Sequence, residues 1–147
     1  MTAAQDGVRQ SPDPTTAGAL RLAVHVDRPA EAVWSFARDP ENLPRWSSGV
    51  GDAVEHEDGE WWVRTPAGRA RFRFTGDEPG VLDHEVLTPA GETVRVPLRV
   101  VGEGDGCEVV FTLLRPPGAD DAEFARDVAA VRADLARLKR VAEALPG

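Results

Sequence analysis

The sequence predicts an α+β fold in which a curved, seven-stranded antiparallel sheet wraps around one long C-terminal helix. Three observations carry that reading. Seven extended stretches lie between residues 19 and 115, the clearest of them alternating apolar with polar side chains. Turn sequences rich in Gly and Pro separate them. The end of the chain changes period, with Phe124, Val128, Val131, Leu135, Leu138 and Ala142 stepping by three and four.

The elements follow in order. Residues 1–18 are rich in Pro, Ser, Thr, Asp and Gly and offer almost nothing to bury, so they are expected as a disordered tail before a single domain spanning 19–147. In the first strand Leu20, Leu22, Val24 and Val26 alternate with Arg21, Ala23, His25 and Asp27. Pro29 then suits an early helical position, and Val33, Trp34, Phe36 and Ala37 give a short helix over Ala30 to Arg38. Asp39 caps a second, one- or two-turn helix that Pro44 breaks before Trp46. Strands over Val50 to His56 and Glu60 to Thr65 flank Asp58-Gly59, a hairpin signal. Arg69 to Thr75 follows with Ala70, Phe72 and Phe74 against three arginines, then Val81 to Thr88, Glu92 to Val101 and Cys107 to Arg115.

The outward residues support this order. Arg71 and Arg73, then Asp83 and Glu85, then Arg95 and Arg99 alternate in sign from strand to strand, as on a solvated, charge-paired sheet face. The final helix, from about Asp120 to Leu145, carries acidic residues in its first turn and Arg137, Lys139 and Arg140 toward its end, as the helix dipole favours.

Composition narrows the function. The 147 residues carry 17 basic and 25 acidic side chains, a net charge of −8 that repels nucleic acid and anionic membrane surfaces. No stretch approaches the ~18 apolar residues of a spanning helix, and the opening residues lack the pattern of a signal peptide. Cys107 has no partner for a disulfide. A cytoplasmic protein, monomeric or homodimeric and without stable membrane insertion, is therefore expected.

The order of strand, two short helices, six strands and a long helix resembles the helix-grip architecture of the SRPBCC, or START/Bet v 1-like, superfamily. The words RPAEAVWSFARDPENLPRW (28–46), GVLDHEV (80–86) and ADLARLK (133–139) are similar to bacterial polyketide cyclase/dehydrase-like members. That resemblance implies a hydrophobic small molecule, such as a lipid, sterol, polyketide or plant hormone, held between sheet and long helix. Some members cyclise or dehydrate their ligand there. The superfamily shares no single catalytic motif, so the resemblance carries over no catalytic residue.

Strand parity sends Leu22, Val24, Val26, Ala70, Phe72, Phe74, Leu82, His84, Val86, Val94, Val96, Leu98, Val109, Phe111 and Leu113 inward. An apolar interior of this kind suits a hydrophobic ligand and suits a filled core equally. His84 is the inward titratable group, with two roles open to it: a general acid or base, or a structural histidine bonded within the core. Trp46, at the end of the second short helix, either meets a ligand or packs, and Trp61 is placed inside with Val63 and Thr65 while Trp62 and Arg64 face out. The ligand-binding residues expected are Trp46, Trp61, Phe72, Phe74, His84, Val96, Leu98, Phe111, Phe124, Val128 and Val131, with His84 the candidate catalytic group. His25, His56 and His84 lie on separate, differently directed segments, so no metal site is expected, and no nucleotide or other cofactor motif occurs. Three functions stay open: a binding module for a hydrophobic small molecule, a cyclase- or dehydratase-like enzyme in the same cavity, and a filled-core domain acting through protein contacts.

Overall fold

The computed structural model describes residues 6–48 and 53–146. Among them the strands are β1 (Val8–Pro12), β2 (Leu20–Val26), β3 (Val54–Glu57), β4 (Glu60–Thr65), β5 (Gly68–Phe74), β6 (His84–Leu87), β7 (Thr93–Val96), β8 (Leu98–Glu103) and β9 (Gly106–Leu113). The helices are α1 (Ala30–Arg38), a 3-10 turn at Pro40–Asn42, α2 (Leu43–Trp46) and α3 (Asp121–Glu143). The strands form two antiparallel sheets, ordered β1-β2-β9-β8 and β3-β4-β5-β6-β7.

The α+β architecture with a long C-terminal helix is present, and the single seven-stranded sheet is corrected to two sheets of four and five strands. Pro97 is the physical reason. It has no N–H to give a ladder, so the expected strand over Glu92 to Val101 divides into β7 and β8 at that residue. Beside it the Leu98 N–H donates to the Asp83 carboxylate at 2.9 Å instead of to a neighbouring strand, and Leu82 N–H reaches the Leu98 carbonyl at 2.8 Å. The expected strand over Val81 to Thr88 shortens to β6 plus one bridge, Val81 to Arg99.

The expected disordered tail is a second departure. Residues 8–12 pair with β2 from Val8 opposite Val24 to Pro12 opposite Leu20, and Val8 is 4 % exposed. Main-chain pairing needs no apolar sequence, and Arg132 on α3 holds the segment by donating to Asp6 at 2.9 and 3.0 Å, to the Val8 carbonyl at 3.0 Å and to Gln10 at 3.1 Å. Composition registers neither partner.

Local rules decide the remaining joints. Asp58 and Gly59 both take positive φ, 55° and 78°, the pair of left-handed residues that a two-residue hairpin with strand-compatible twist requires. Asp120 and Glu123 close a capping box on α3, with bonds of 2.8 and 3.0 Å. Asp39 accepts from Glu41 N–H at the 3-10 turn, and the helical break falls between Asn42 and Leu43 rather than at Pro44, which sits in the first turn of α2 where no N–H is needed. The expected start of a strand at Val50 lies outside the described residues.

α3 lies on β2, with lesser contacts to β1 and β9, and packs beside α2. Leu22, Val24, Val26, Val109, Leu135, Leu138 and Ala142 are all fully buried in that interface. Each large aliphatic side chain of this layer contributes about 1.5–3 kcal/mol. On the outer face, Glu85 stands opposite Arg73 and Arg95, and Asp83 pairs with Arg99 at 2.7 Å.

Candidate functional site

α3 packs chiefly on β2 and reaches the inward face of the five-stranded sheet through Asp134, and a cavity of about 180 Å³ lies there. β5 and β6 supply Phe72, Phe74, His84 and Val86 to its wall. Leu82 precedes β6, Leu98 opens β8, and Phe111 comes from β9. α1 and α2 close it with Ala37, Leu43 and Trp46, while Ser47, Thr65 and Asp134 add the remaining polar atoms and Val63 completes the apolar wall. Alternation of side chains places Phe72 and Phe74 on one face, and the antiparallel register sets Phe74 opposite His84 and Phe72 opposite Val86.

His84 is fixed by three contacts. Its Nδ1 lies 2.9 Å from the Leu82 carbonyl, its ring tilts against Phe72 at 4.7 Å, and Phe74 stands edge-on at 6.2 Å. A carbonyl only accepts, so Nδ1 carries the proton and Nε2 is a bare acceptor. Enclosure pushes the imidazole below its ordinary pKa, outweighing the Leu82 carbonyl and the Asp83 charge that pull the other way. The group is therefore neutral at neutral pH.

Asp134 projects from α3 and accepts from Ser48 N–H at 2.9 Å; desolvation nonetheless holds its carboxyl above the usual range. Trp46 is buried, and among the described residues its Nε1 finds no acceptor. The cavity thus combines an apolar wall with a bare imidazole nitrogen, a half-buried carboxyl and an indole whose donor is unused.

Of the residues expected at the site, Trp46, Phe72, Phe74, His84, Leu98 and Phe111 meet at this cavity. The others do not. Trp61 shares a face with Val63 and Thr65 but stacks on His56 at 4.4 Å, nearer the hairpin. Val96 faces His84 across the ladder and borders a separate space of about 120 Å³. Phe124 lies under the Arg115 guanidinium, 5.0 Å away, and Val128 and Val131 pack on the core. The helical stripe identifies a buried face of α3 without saying which strand it lies on, and it lies on β2. Val94, also expected inward, is 44 % exposed because β7 is the edge of its sheet.

Asp134 is the residue that periodicity should have flagged. It falls between Val131 and Leu138 at spacings of three and four, on the inward side.

The outer face carries a larger groove of about 490 Å³ beside Arg21, Arg95 and Arg99. It opens to solvent, and two of its arginines already pair with Asp13 and Asp83.

The comparisons with known proteins agree with this geometry. The chain matches the family described as polyketide cyclase / dehydrase and lipid transport over residues 18–143. It belongs to that family. A solution structure of a protein from Arthrobacter aurescens is similar at a TM-score of 0.68 and 15 % identity, covering 96 % of this chain and 94 % of that one. A crystal structure of a protein from Deinococcus radiodurans reaches 30 % identity at a TM-score of 0.55, covering 84 % and 95 %. DynU16, a protein of the dynemicin biosynthetic locus, is similar at 21 % identity and a TM-score of 0.64, over 84 % of this chain and 46 % of that one. No curated protein sequence matches the chain. Among the described residues no helix is long and apolar enough to cross a membrane.

Proposed function

We propose that this family member binds a small hydrophobic molecule in the cavity between the five-stranded sheet, α2 and α3. The observation that carries the reading is the wall itself: Phe72, Phe74, Leu82, Leu98 and Phe111 enclose about 180 Å³, with His84 and Asp134 the ionisable groups on it. A cavity of about 150 Å³ lined by aliphatic and phenyl groups takes up benzene, so this one suits a single ring with a short substituent. Its volume weighs against a filled core.

A second reading, a cyclase- or dehydratase-like enzyme, is favoured by one observation. His84 presents a neutral Nε2 in the same wall as the Asp134 carboxyl, the pairing that proton removal beside a carbonyl and proton return would use. Binding stays ahead because so small a space leaves little room for the multi-ring products of cyclisation.

The test is a 19F NMR titration of the full chain with 4-fluorotoluene, alongside Val86→Phe, which adds a ring to the cavity wall. Saturable binding that the variant abolishes supports the reading, and equal behaviour of both proteins rules it out. Turnover that survives His84→Ala unchanged would remove that residue's catalytic role.

A further inference from the structure

We infer that the cavity's ligand is a phenol whose hydroxyl donates to His84 Nε2; this rests on the ligand-binding reading above. Three observations place that acceptor. His84 lines the cavity, and its ring lies 4.7 Å from Phe72 and edge-on to Phe74 at 6.2 Å, both of them residues of the cavity wall. Nδ1 is taken up by the Leu82 carbonyl at 2.9 Å, which fixes the tautomer and leaves Nε2 with a lone pair and no hydrogen. Among the described residues Nε2 has no hydrogen-bond partner, and it is not one of the side-chain atoms sealed from solvent, so a ligand atom can reach it.

The other polar side chains of the wall lean the same way. Thr65 Oγ1 gives its proton to the Gly68 carbonyl at 2.8 Å and accepts from Ala67 N–H at 3.2 Å, so it has no donor left. Asp134 is an acid whose Oδ1 accepts from Ser48 N–H at 2.9 Å. The Trp46 Nε1–H is unpaired but wholly buried, out of a ligand's reach. Ser47 adds a hydroxyl that can donate or accept. A wall of acceptors selects a ligand that donates. The rest of the lining is Phe, Leu, Val and Ala, where an ionised ligand would be desolvated at high cost, and Asp134 with the net charge of −8 further repels an acid. A neutral donor on a ring remains. A phenol meets that description at neutral pH, since its ordinary pKa is about 10, and burial keeps the imidazole neutral and accepting under the same conditions.

The test titrates the 15N-labelled full chain at pH 7 with 4-methylphenol and with 4-fluorotoluene, which has nearly the same outline and no donor. On binding 4-methylphenol the His84 Nε2 resonance is expected to move upfield as its lone pair accepts a hydrogen bond, and 4-fluorotoluene should leave it near its free position. His84→Leu should lower the ratio of 4-methylphenol to 4-fluorotoluene affinity about tenfold, the share of one hydrogen bond inside an apolar wall. By the same reckoning 4-methylbenzoate should bind about tenfold more weakly than the phenol, or worse. An Nε2 resonance that 4-methylphenol leaves in place, a ratio that His84→Leu does not change, or a benzoate that binds as tightly as the phenol overturns the inference, while saturable binding of 4-fluorotoluene keeps the cavity reading intact. Should His84→Leu fail to fold, the Nε2 resonance and the phenol-to-benzoate ratio of the unaltered chain decide alone. If neither 4-methylphenol nor 4-fluorotoluene binds the unaltered chain, the cavity reading falls and the inference with it.

Discussion

The two sheets carry similar alternating sequences and end in different states. On β2 and β9 the inward residues Leu22, Val24, Val26 and Val109 are fully buried under Leu135 and Leu138 of α3. On β5 and β6 the inward Phe74, His84 and Val86 keep partial exposure around a cavity. Period two records which face turns inward; it does not record whether a helix lies over that face. The helix packs directly on β2, and the candidate site lies beside that packing, where β5 and β6 meet Leu98, Phe111 and the Asp134 side chain of α3.

Substitutions that enlarge each half should separate them most. Leu135→Ala, in the dry half, is expected to lose about 3 kcal/mol, in the middle of the range for a buried Leu that leaves a cavity. Val86→Ala, on a wall that already borders empty space, should lose less than about 1 kcal/mol. Urea denaturation with unchanged slope measures both. Equal losses would mean that the two halves are packed alike.

The next effect is pH. His84 has a lower pKa folded than unfolded, so below about pH 6.5 the unfolded chain binds more protons and stability falls as pH drops. One proton limits the slope to about 1.4 kcal/mol per pH unit. His84→Phe should flatten the curve between pH 7 and 5. Asp134 works in the opposite direction, since its folded pKa is raised and its share improves on acidification, while Asp83, Asp6 and Glu143, with lowered pKa values, lose stability in the more acidic carboxylate range. A curve that His84→Phe leaves unchanged would place the ring in solvent.

Arg132→Ala tests the edge of the dry half. It should speed amide exchange of residues 8–11 about tenfold and leave the β2–β9 ladder protected. Asp83→Asn is the mildest, at about 0.5 kcal/mol. Its pair with Arg99 is solvent-exposed, and an Asn oxygen still accepts from Leu98 N–H.

Legibility in the sequence followed the range of the force that decides each feature. The Asp58-Gly59 hairpin, the α3 cap and the inward parity of Phe72, Phe74 and His84 rest on neighbours in the chain, and all are readable there. Val8 and Gln10 owe their order to Arg132, more than a hundred residues away, and no local pattern announces that contact. Pro97 was in plain sight, yet its consequence, a sheet divided in two, depends on Asp83 taking over the Leu98 N–H. Phe124, Val128 and Val131 were readable as one face of α3, and nothing local says that this face lies away from the cavity. Asp134 was hidden by its charge, which marks a surface residue by default although its spacing puts it inward.

The central claim, that the cavity around His84 takes a ligand, is tested most directly by mapping 15N and aromatic chemical shifts during titration with 4-fluorotoluene. The account predicts perturbations at the Trp46 indole, the His84 ring, Phe74 and Phe111, with Leu22 and Leu138 unmoved. Perturbations confined to the outer groove near Arg95 and Thr112, or none at all, would contradict it.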